Sequence, residues 1–311
     1  MSKVRKMRIH EFGGPKALRA DEIECSQPDA LQILVSVKAA SVNPVDFKIS
    51  GGKYPAVKDD RLPYTLGRDV SGIVEKCGAQ ATKFSVGEEI LGMLDITGGG
   101  YAEKAALNQS SVTRKPANID FVHAAAIPLA GLTAWQGLFR HGSLKAGQTV
   151  LIHGGSGGVG HFAVQFAKAK GARVLTTVSS NNVEFARSLG ADVVIDYKTQ
   201  RFEEQASDLD MVFDLIDGDT RKRSWALLRR GGTLVTTLTE PSQETAQQYG
   251  VKALRYTVEP DGSDLTDIAG LVAAGRIKVH VSKTYPLADA SEALASVEHG
   301  GTVGKVVLAV S

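Results

Sequence analysis

The sequence predicts an α/β protein in which a doubly wound parallel sheet is joined to a β-rich domain. Three observations predict it. Residues 151–164, "LIHGGSGGVGHFAV", place a glycine-rich turn between an apolar run and an amphipathic one. Strand and helix patterns then alternate as far as Thr237, the rhythm of a parallel sheet covered on both faces. Both ends of the chain instead carry short alternating segments punctuated by Gly and Pro, as half-exposed sheets do.

In chain order, "LQILVSVKAASV" (31–42) reads as a strand by its alternation, and Gly51-Gly52, Pro55, Pro63 and the glycines 98–100 punctuate the stretch beyond it. From Phe121 the pattern changes. "HAAAIPLAGLTAWQGLF" (123–139) reads as helix, followed by strand 149–152, helix 158–170, strand 172–178, helix 183–189, strands 193–195 and 211–215, helix 221–228 and strand 233–237. In helix 158–170, Val159, Phe162, Ala163, Phe166 and Ala167 recur at helical spacing before Lys170-Gly171 closes it. The end returns to the earlier style, with "HVSKTYPL" (280–287), a helix around 291–298 and a strand in "GKVVLAV" (304–310). The predicted division is therefore 1–120 with 278–311 as one domain and 121–277 as the other. No internal repeat or low-complexity segment appears.

A chain of 311 residues holds two cores. Its formal net charge of +2 is too small to imply a nucleic-acid partner. The basic start "MSKVRKMR" lacks a following apolar stretch and reads as a solvated tail rather than a signal peptide. No run is apolar and long enough to span a membrane. Two cysteines, Cys25 and Cys77, cannot make a disulfide framework, which predicts a reducing, cytoplasmic setting.

The glycine turn carries the first chemistry. Five glycines fall within seven residues at 154–160. Glycine permits positive φ and removes the Cβ that would hold a ligand off the main chain. Gly155, Gly157 and Gly160 fit G-x-G-x-x-G: the first for the turn, the second for approach to a pyrophosphate, the third for packing of helix on strand. With Ser156, Gly158 and Val159 in the same turn, the helix offers its N–H groups and positive dipole end to phosphates. A preceding strand, the helix itself and a further strand in "ARVLTTV" (172–178) form the context in which this pattern binds a dinucleotide.

Beyond that turn, "AASVNPVDFKISGG" (39–52), "LGRDVSGIV" (66–74), "GGGYAEKA" (98–105), "AAAIPLAGLTAW" (124–135), "GGSGGVG" (154–160) and "LGADVVIDY" (189–197) occur in order. Together they resemble the medium-chain dehydrogenase/reductase superfamily, in its zinc-free quinone oxidoreductase branch. The resemblance covers nearly the whole chain. It implies a GroES-like catalytic domain, a Rossmann domain binding NADP, an active-site cleft between the two, and a homodimer or larger oligomer.

In the metal-bearing branches a cysteine is expected near Asn43, and a His-Glu pair where this chain has Arg68-Asp69. Zinc wants thiolate and imidazole ligands with one open position, and those ligands are missing here. The seven histidines, His10, His123, His141, His153, His161, His280 and His299, show no ligand spacing and read as ordinary surface or hydrogen-bonded side chains. Without a metal, a quinone or activated alkene is the easier hydride acceptor, and the site needs positioning and a few donors. Asn43 offers its amide to a carbonyl oxygen or the cofactor ribose, or else holds the Asn-Pro turn. Tyr54 offers a hydroxyl at the cleft mouth, or else packs as a loop aromatic. Asp46 is a poor proton donor at neutral pH unless its pKa is raised, and reads better as a partner of Lys48 or Arg68. Thr133, in "GLTAW", resembles the family position near the nicotinamide.

An NAD site usually carries an acid about twenty residues past the turn. Here the second strand ends "TTVSSNN", so Ser179, Ser180, Asn181 and Asn182 offer neutral donors, and no carboxylate occurs before Glu184. That favours NADPH. Ser179 and Asn182 join the expected cofactor set, as does Leu238, just past the strand 233–237. Tyr197 and Lys198 either supply a wall and a charge or form a surface turn. Lys305 is a possible phosphate partner, although a solvated strand-edge lysine is the stronger reading. The expected function is an NADPH-dependent reductase of quinones or α,β-unsaturated carbonyls. Two alternatives stay open: a reductase of another activated double bond such as an enoyl thioester, and a non-catalytic NADPH-binding redox sensor.

Overall fold

A computed structural model describes residues 3–311. Its residues group into two compact units: one runs to Leu132 and takes in Glu259–Gly275 and Val279–Ser311, and the other comprises Thr133–Val258 and Arg276–Lys278.

The second unit is a six-stranded parallel sheet of β1 (Thr149–His153), β2 (Arg173–Val178), β3 (Val193–Asp196), β4 (Leu209–Asp214), β5 (Leu228–Thr236) and β6 (Lys252–Arg255). The spatial order is β3-β2-β1-β4-β5-β6, the doubly wound order whose direction reverses between β1 and β4. Val193, Leu175, Leu151, Val212, Leu234 and Ala253 stand in register across all six strands. They form one face of the unit's core, and each buried leucine among them contributes about 1.5–3 kcal/mol. The connecting helices include α1 (Gly160–Ala169), α2 (Val183–Ser188), α3 (Gly218–Ser224) and α4 (Gln243–Tyr249). β6 and α4 fall in a stretch where the sequence pattern marked no element.

The first unit is built on a seven-stranded sheet. Its path runs Val281–Pro286, Lys305–Ala309, Gln32–Val42, Asp69–Cys77, Glu89–Met93, Val112–Arg114, and Lys104–Asn108 pairs off it with Gln32–Val42. Only the pair of C-terminal strands is parallel. The last strand pairs antiparallel with the first long one, Val306 opposite Val42. Helix Phe121–Ala125 belongs here because Ala125 and Ala126 pack on Ala39 and Val307. Helix Gly262–Ala273, which the pattern did not mark, lies on Val112–Arg114. A Cβ on Gly262 would stand 2.7 Å from the carbonyl oxygens of Ser110 and Val112, so only glycine fits.

Two sequence expectations need correction. The basic start is not a tail: Met1 and Ser2 lie outside the described residues, but Lys3–Ile9 forms a strand antiparallel to Leu18–Glu24. Met7 and Ile9 are buried on one face and Val4 on the other, with Lys3 and Arg5 exposed toward the strand's start, so its apolar residues outweigh its charge. Nor is 123–139 one helix. It divides into Phe121–Ala125, Pro128–Trp135 and a π-helical turn Gln136–His141, because Pro128 has no N–H to continue the first helix and opens the second instead.

Candidate functional site

In the parallel unit, the turn after β1 sits at the carboxyl end of the sheet. Gly154 takes φ +79°, and the N–H groups of Gly154 and Gly155 donate to Thr177 O at 3.1 and 3.2 Å. Gly157 N–H donates back to Gly154 O at 3.1 Å, and α1 begins. A Cβ on Gly160 would fall 2.1 Å from Gly154 O, and one on Gly155 would fall 2.0 Å from Thr176 Oγ1. At Gly157 the nearest atom would be Gly154 O at 3.4 Å, ordinary contact on an otherwise open side. The first and third glycines of the motif therefore serve packing, and the second leaves bare backbone facing outward. A pyrophosphate fits that arrangement at the N-terminus of α1.

Of the other expected cofactor residues, Asn182 reaches the turn directly. Asn182 Nδ2 donates to Ser156 Oγ at 3.1 Å, tying the loop after β2 to the loop after β1. Ser179 O accepts from Asn182 N–H at 2.8 Å, and Tyr197 N–H donates to Val178 O at 3.1 Å, so Tyr197, 55% exposed, stands beside the end of β2. Gly158 and Val159 lie within the turn itself, and Val159 O accepts from Ala163 N–H at 3.0 Å. Leu238 comes just after β5, with its N–H on Thr236 Oγ1 at 3.2 Å and its carbonyl accepting from Arg255 Nε at 2.8 Å. Thr133 is buried, and its carbonyl accepts from the Tyr256 hydroxyl.

One carboxylate near the end of β2 escaped the linear reading. Asp196, in register with Val178 on the next strand, is hydrogen-bonded by the Ser180 side chain, which with the Lys198 N–H and charge holds its carboxyl below the usual range. Counting residues after β2 could not find it, because it arrives from β3. Asp214 and Arg221, the buried ion pair beyond β4, were also missed; an Asp ending a strand with Arg in the next helix is the signal available.

In the β-rich unit a buried polar cluster forms around Asp69. Its Oδ2 accepts from Ser41 Oγ at 2.6 Å and from Asn43 Nδ2 at 2.8 Å, while Oδ1 accepts from Leu129 N–H at 2.7 Å. Asn43 is 1% exposed. Its other amide hydrogen points to Ser41 O at 3.3 Å, and its Oδ1 accepts from Lys305 Nζ. Lys305 is not the solvated strand-edge residue expected: its strand lies inside the sheet, its side chain is 3% exposed, and Nζ also donates to Val42 O at 3.1 Å and stands 3.9 Å from Asp69. Burial lowers the Lys305 pKa, and the charges of Asp69 and Asp46 oppose that shift.

Asp46 does not pair with Lys48 or Arg68. From the first turn of helix Pro44–Ser50 it folds back to accept from Asn43 N–H at 2.8 Å, and it takes Tyr101 Oη at 3.0 Å and Gly67 N–H at 3.2 Å. Arg68 instead donates from Nε and Nη2 to Leu94 O at 3.1 and 3.0 Å. Tyr54 comes after that helix and packs, half-buried, against the unit's core. Among the described residues no three His, Cys, Asp or Glu side chains group as a metal could use them.

Two family models match the chain: an alcohol dehydrogenase GroES-like domain over residues 29–117 and a zinc-binding dehydrogenase over 189–308. A mitochondrial NAD(P)H oxidoreductase of Homo sapiens is 34% identical, over 90% of this chain and 82% of its own. The quinone oxidoreductase from Coxiella burnetii superposes with a TM-score of 0.93 at 31% identity, covering all of both chains. The Escherichia coli quinone oxidoreductase complexed with NADPH is similar at a TM-score of 0.89 and 30% identity, covering 98% of this chain and 99% of that one.

Proposed function

The chain belongs to the quinone oxidoreductase-like part of the medium-chain dehydrogenase/reductase superfamily, and from that membership we propose an NADPH-dependent reductase of quinones or α,β-unsaturated carbonyls that works without zinc. The coarse reading, an oxidoreductase using a nicotinamide dinucleotide, comes from the relatives; the cofactor phosphate, acceptor and metal independence are the proposal. NADPH, when bound, supplies the hydride.

The observation that carries the metal-free reading is the Lys305 ammonium lodged on Asn43 and beside Asp69, two of the positions the metal-bearing branches are expected to use. A cation already held there repels a divalent metal, and an amide and a carboxylate lack the thiolate and imidazole character zinc prefers. The acceptor must then carry its own activation, as a conjugated carbonyl does by spreading incoming charge onto oxygen. In this reading the turn Gly155, Ser156, Gly157, Gly158, Val159 holds the pyrophosphate, and Ser179, Asn182 and Tyr197 hold the phosphorylated ribose. Thr133 and Leu238 line the nicotinamide side. Tyr54 offers the hydroxyl. Asn43, with both amide hydrogens already donated, acts by holding Lys305 and Asp69 in place. Cys25 and Cys77 are free thiols, consistent with the cytoplasmic residence we include, and a homodimer completes the proposal.

Following NADPH absorbance with a simple quinone, an enone and a primary alcohol tests it. Quinone or enone turnover that survives chelation, with no alcohol oxidation, is the expected result. One tightly held zinc per chain, or alcohol oxidation without quinone or enone reduction, would overturn it.

A further inference from the structure

The loop after β4 carries structure that the proposed function leaves unused. Asp217 holds φ 72° and ψ −170°, a region open to glycine and costly to any other residue. Gly218 comes next at φ +62°. A side chain persists in that conformation only where its surroundings over-determine it, and here they do. Asp214, fully buried, accepts from the N–H groups of Ile216 and Asp217 at 3.0 and 2.9 Å through Oδ1, and from Arg221 Nε at 2.7 Å through Oδ2. Arg221, 6% exposed, reaches Asp217 Oδ1 at 2.9 Å, both oxygens of Thr239 at 3.0 Å, and Thr236 Oγ1 at 3.3 Å. Thr239 Oγ1 in turn donates to Asp217 Oδ2 at 2.7 Å.

One guanidinium thus joins the end of β4, the loop beyond it and the loop beyond β5. These loops stand at the carboxyl ends of the strands, and β4 is the strand across the switch point from the glycine turn. Between them they present Leu238 and Ile216. Ile216 is 53% exposed, and its Cδ1 lies 3.1 Å from where a Cβ on Gly154 would be. An apolar side chain standing over the bare backbone of the glycine turn offers a non-polar face of the kind that lines small-molecule sites.

We propose that Arg221 and Asp217 form a positioning clamp for the dinucleotide, holding the loops after β4 and β5 in their bound geometry before the cofactor arrives, with Ile216 as the apolar shelf for one of its ring or ribose faces. The inference rests on the reading of the β1 turn as the dinucleotide site. Preorganisation of this kind raises affinity by lowering the ordering cost of binding. Here it is maintained against backbone strain, so stability and binding should move in opposite directions when the strain is released.

Asp217→Gly makes that separation. Glycine accepts the backbone conformation without strain but removes the carboxylate that Arg221 and Thr239 hold. Thr239→Val removes one arm of the clamp and no charge. The full chain and both variants are melted thermally, titrated with NADPH and NADH by cofactor fluorescence, and assayed at saturating cofactor. Asp217→Gly should melt at or above the wild type, bind NADPH about three- to tenfold more weakly, and keep its kcat. Thr239→Val should weaken binding in the same direction by less. A Kd for Asp217→Gly within about twofold of wild type, or a melting temperature below it, would overturn the clamp. If the wild-type chain binds neither dinucleotide, the underlying reading falls and the clamp with it; tight wild-type binding that neither variant disturbs removes the clamp alone.

Discussion

In the β-rich unit a carboxylate, Asp46, is wholly buried and its pKa is pushed up to about 6 by loss of solvent, whereas in the parallel unit an imidazole, His153, is equally buried and pushed down to about 4 by the same cause. The first lies in a cluster of acids, Asp46 and Asp69, with Lys305 supplying the buried cation. The second is held neutral between two hydroxyls, Thr177 Oγ1 at 3.1 Å and Ser224 Oγ at 2.9 Å. The cluster in the β-rich unit lies deep in an antiparallel sheet and ties chain-distant strands together. The polar groups of the parallel unit, His153 and the Asp214–Arg221 pair, stand where parallel strands end, and they shape loops. Burial therefore does different work in the two units: it locks a sheet in one and arranges the loops at the carboxyl edge of the sheet in the other.

The largest expected effect breaks the β-rich side of that comparison. Lys305→Met removes the cation but leaves Asp69 buried, which should cost about 3–5 kcal/mol of unfolding free energy. Pairing it with Asp69→Asn should restore a substantial part, since the amide needs no counter-charge. Denaturant melts of the single and double variants measure the coupling. A single variant as stable as wild type would show that the ammonium holds nothing, and the account of Asn43 as its support would fall too.

A smaller effect concerns the rim of the parallel unit. Ser179→Asp places a carboxylate at the end of β2 and should weaken NADPH binding by about 1–3 kcal/mol through repulsion and lost hydrogen bonding, while leaving NADH far less affected. Asp196, already close by, sharpens the test, because Ser180 and the Lys198 N–H occupy its oxygens. Asp196→Asn should increase the preference for NADPH. Equal response of both dinucleotides to both substitutions would remove the phosphate assignment.

The two units also differ in how far the sequence makes them legible. The glycine turn and the alternation of strand and helix that marks the parallel unit are local, and Gly155, Gly157 and Gly160 announce their roles within six residues. Asn43, Asp69 and Lys305 are brought together by antiparallel pairing across as many as 262 positions, which no local pattern encodes. Lys305 reads as an edge residue because lysine in a short strand usually is one, and only the neighbouring strand Val281–Pro286 makes it interior. Asp46 reads as an ion-pair partner because an ionised carboxylate is expected to seek a cation such as Lys48, two residues on, or Arg68. Its place in the first turn of a helix turns it back toward Asn43 N–H instead. Helix Gly262–Ala273 was findable, since Asp261 accepts from Ser263 and Asp264 N–H in the manner of an N-cap.

The smallest effect is the most discriminating, because the two buried groups respond to acid with opposite signs. The folded pKa of His153, about 4, lies below its ordinary value of 6.5. The unfolded chain takes the proton first, so the stability it contributes is present above pH 6.5 and is lost as pH falls toward 4. The folded pKa of Asp46, about 6, lies above its ordinary value of 3.8. The folded chain takes that proton first, so its contribution is greatest below 3.8 and is lost as pH rises through 6. Between pH 7 and 5.5 each amounts to about 1 kcal/mol, destabilising the parallel unit and stabilising the β-rich one. Both tryptophans, Trp135 and Trp225, belong to the parallel unit, so their fluorescence tracks its unfolding, while hydrogen exchange of residues 33–42 and 69–77 tracks the other unit. His153→Gln should flatten the fluorescence-detected loss below pH 6.5, and Asp46→Asn should flatten the gain in exchange protection. If both units weaken in parallel between pH 7 and 5.5, and neither substitution alters its own unit's slope, the two buried groups do not set the response and the contrast between the units collapses.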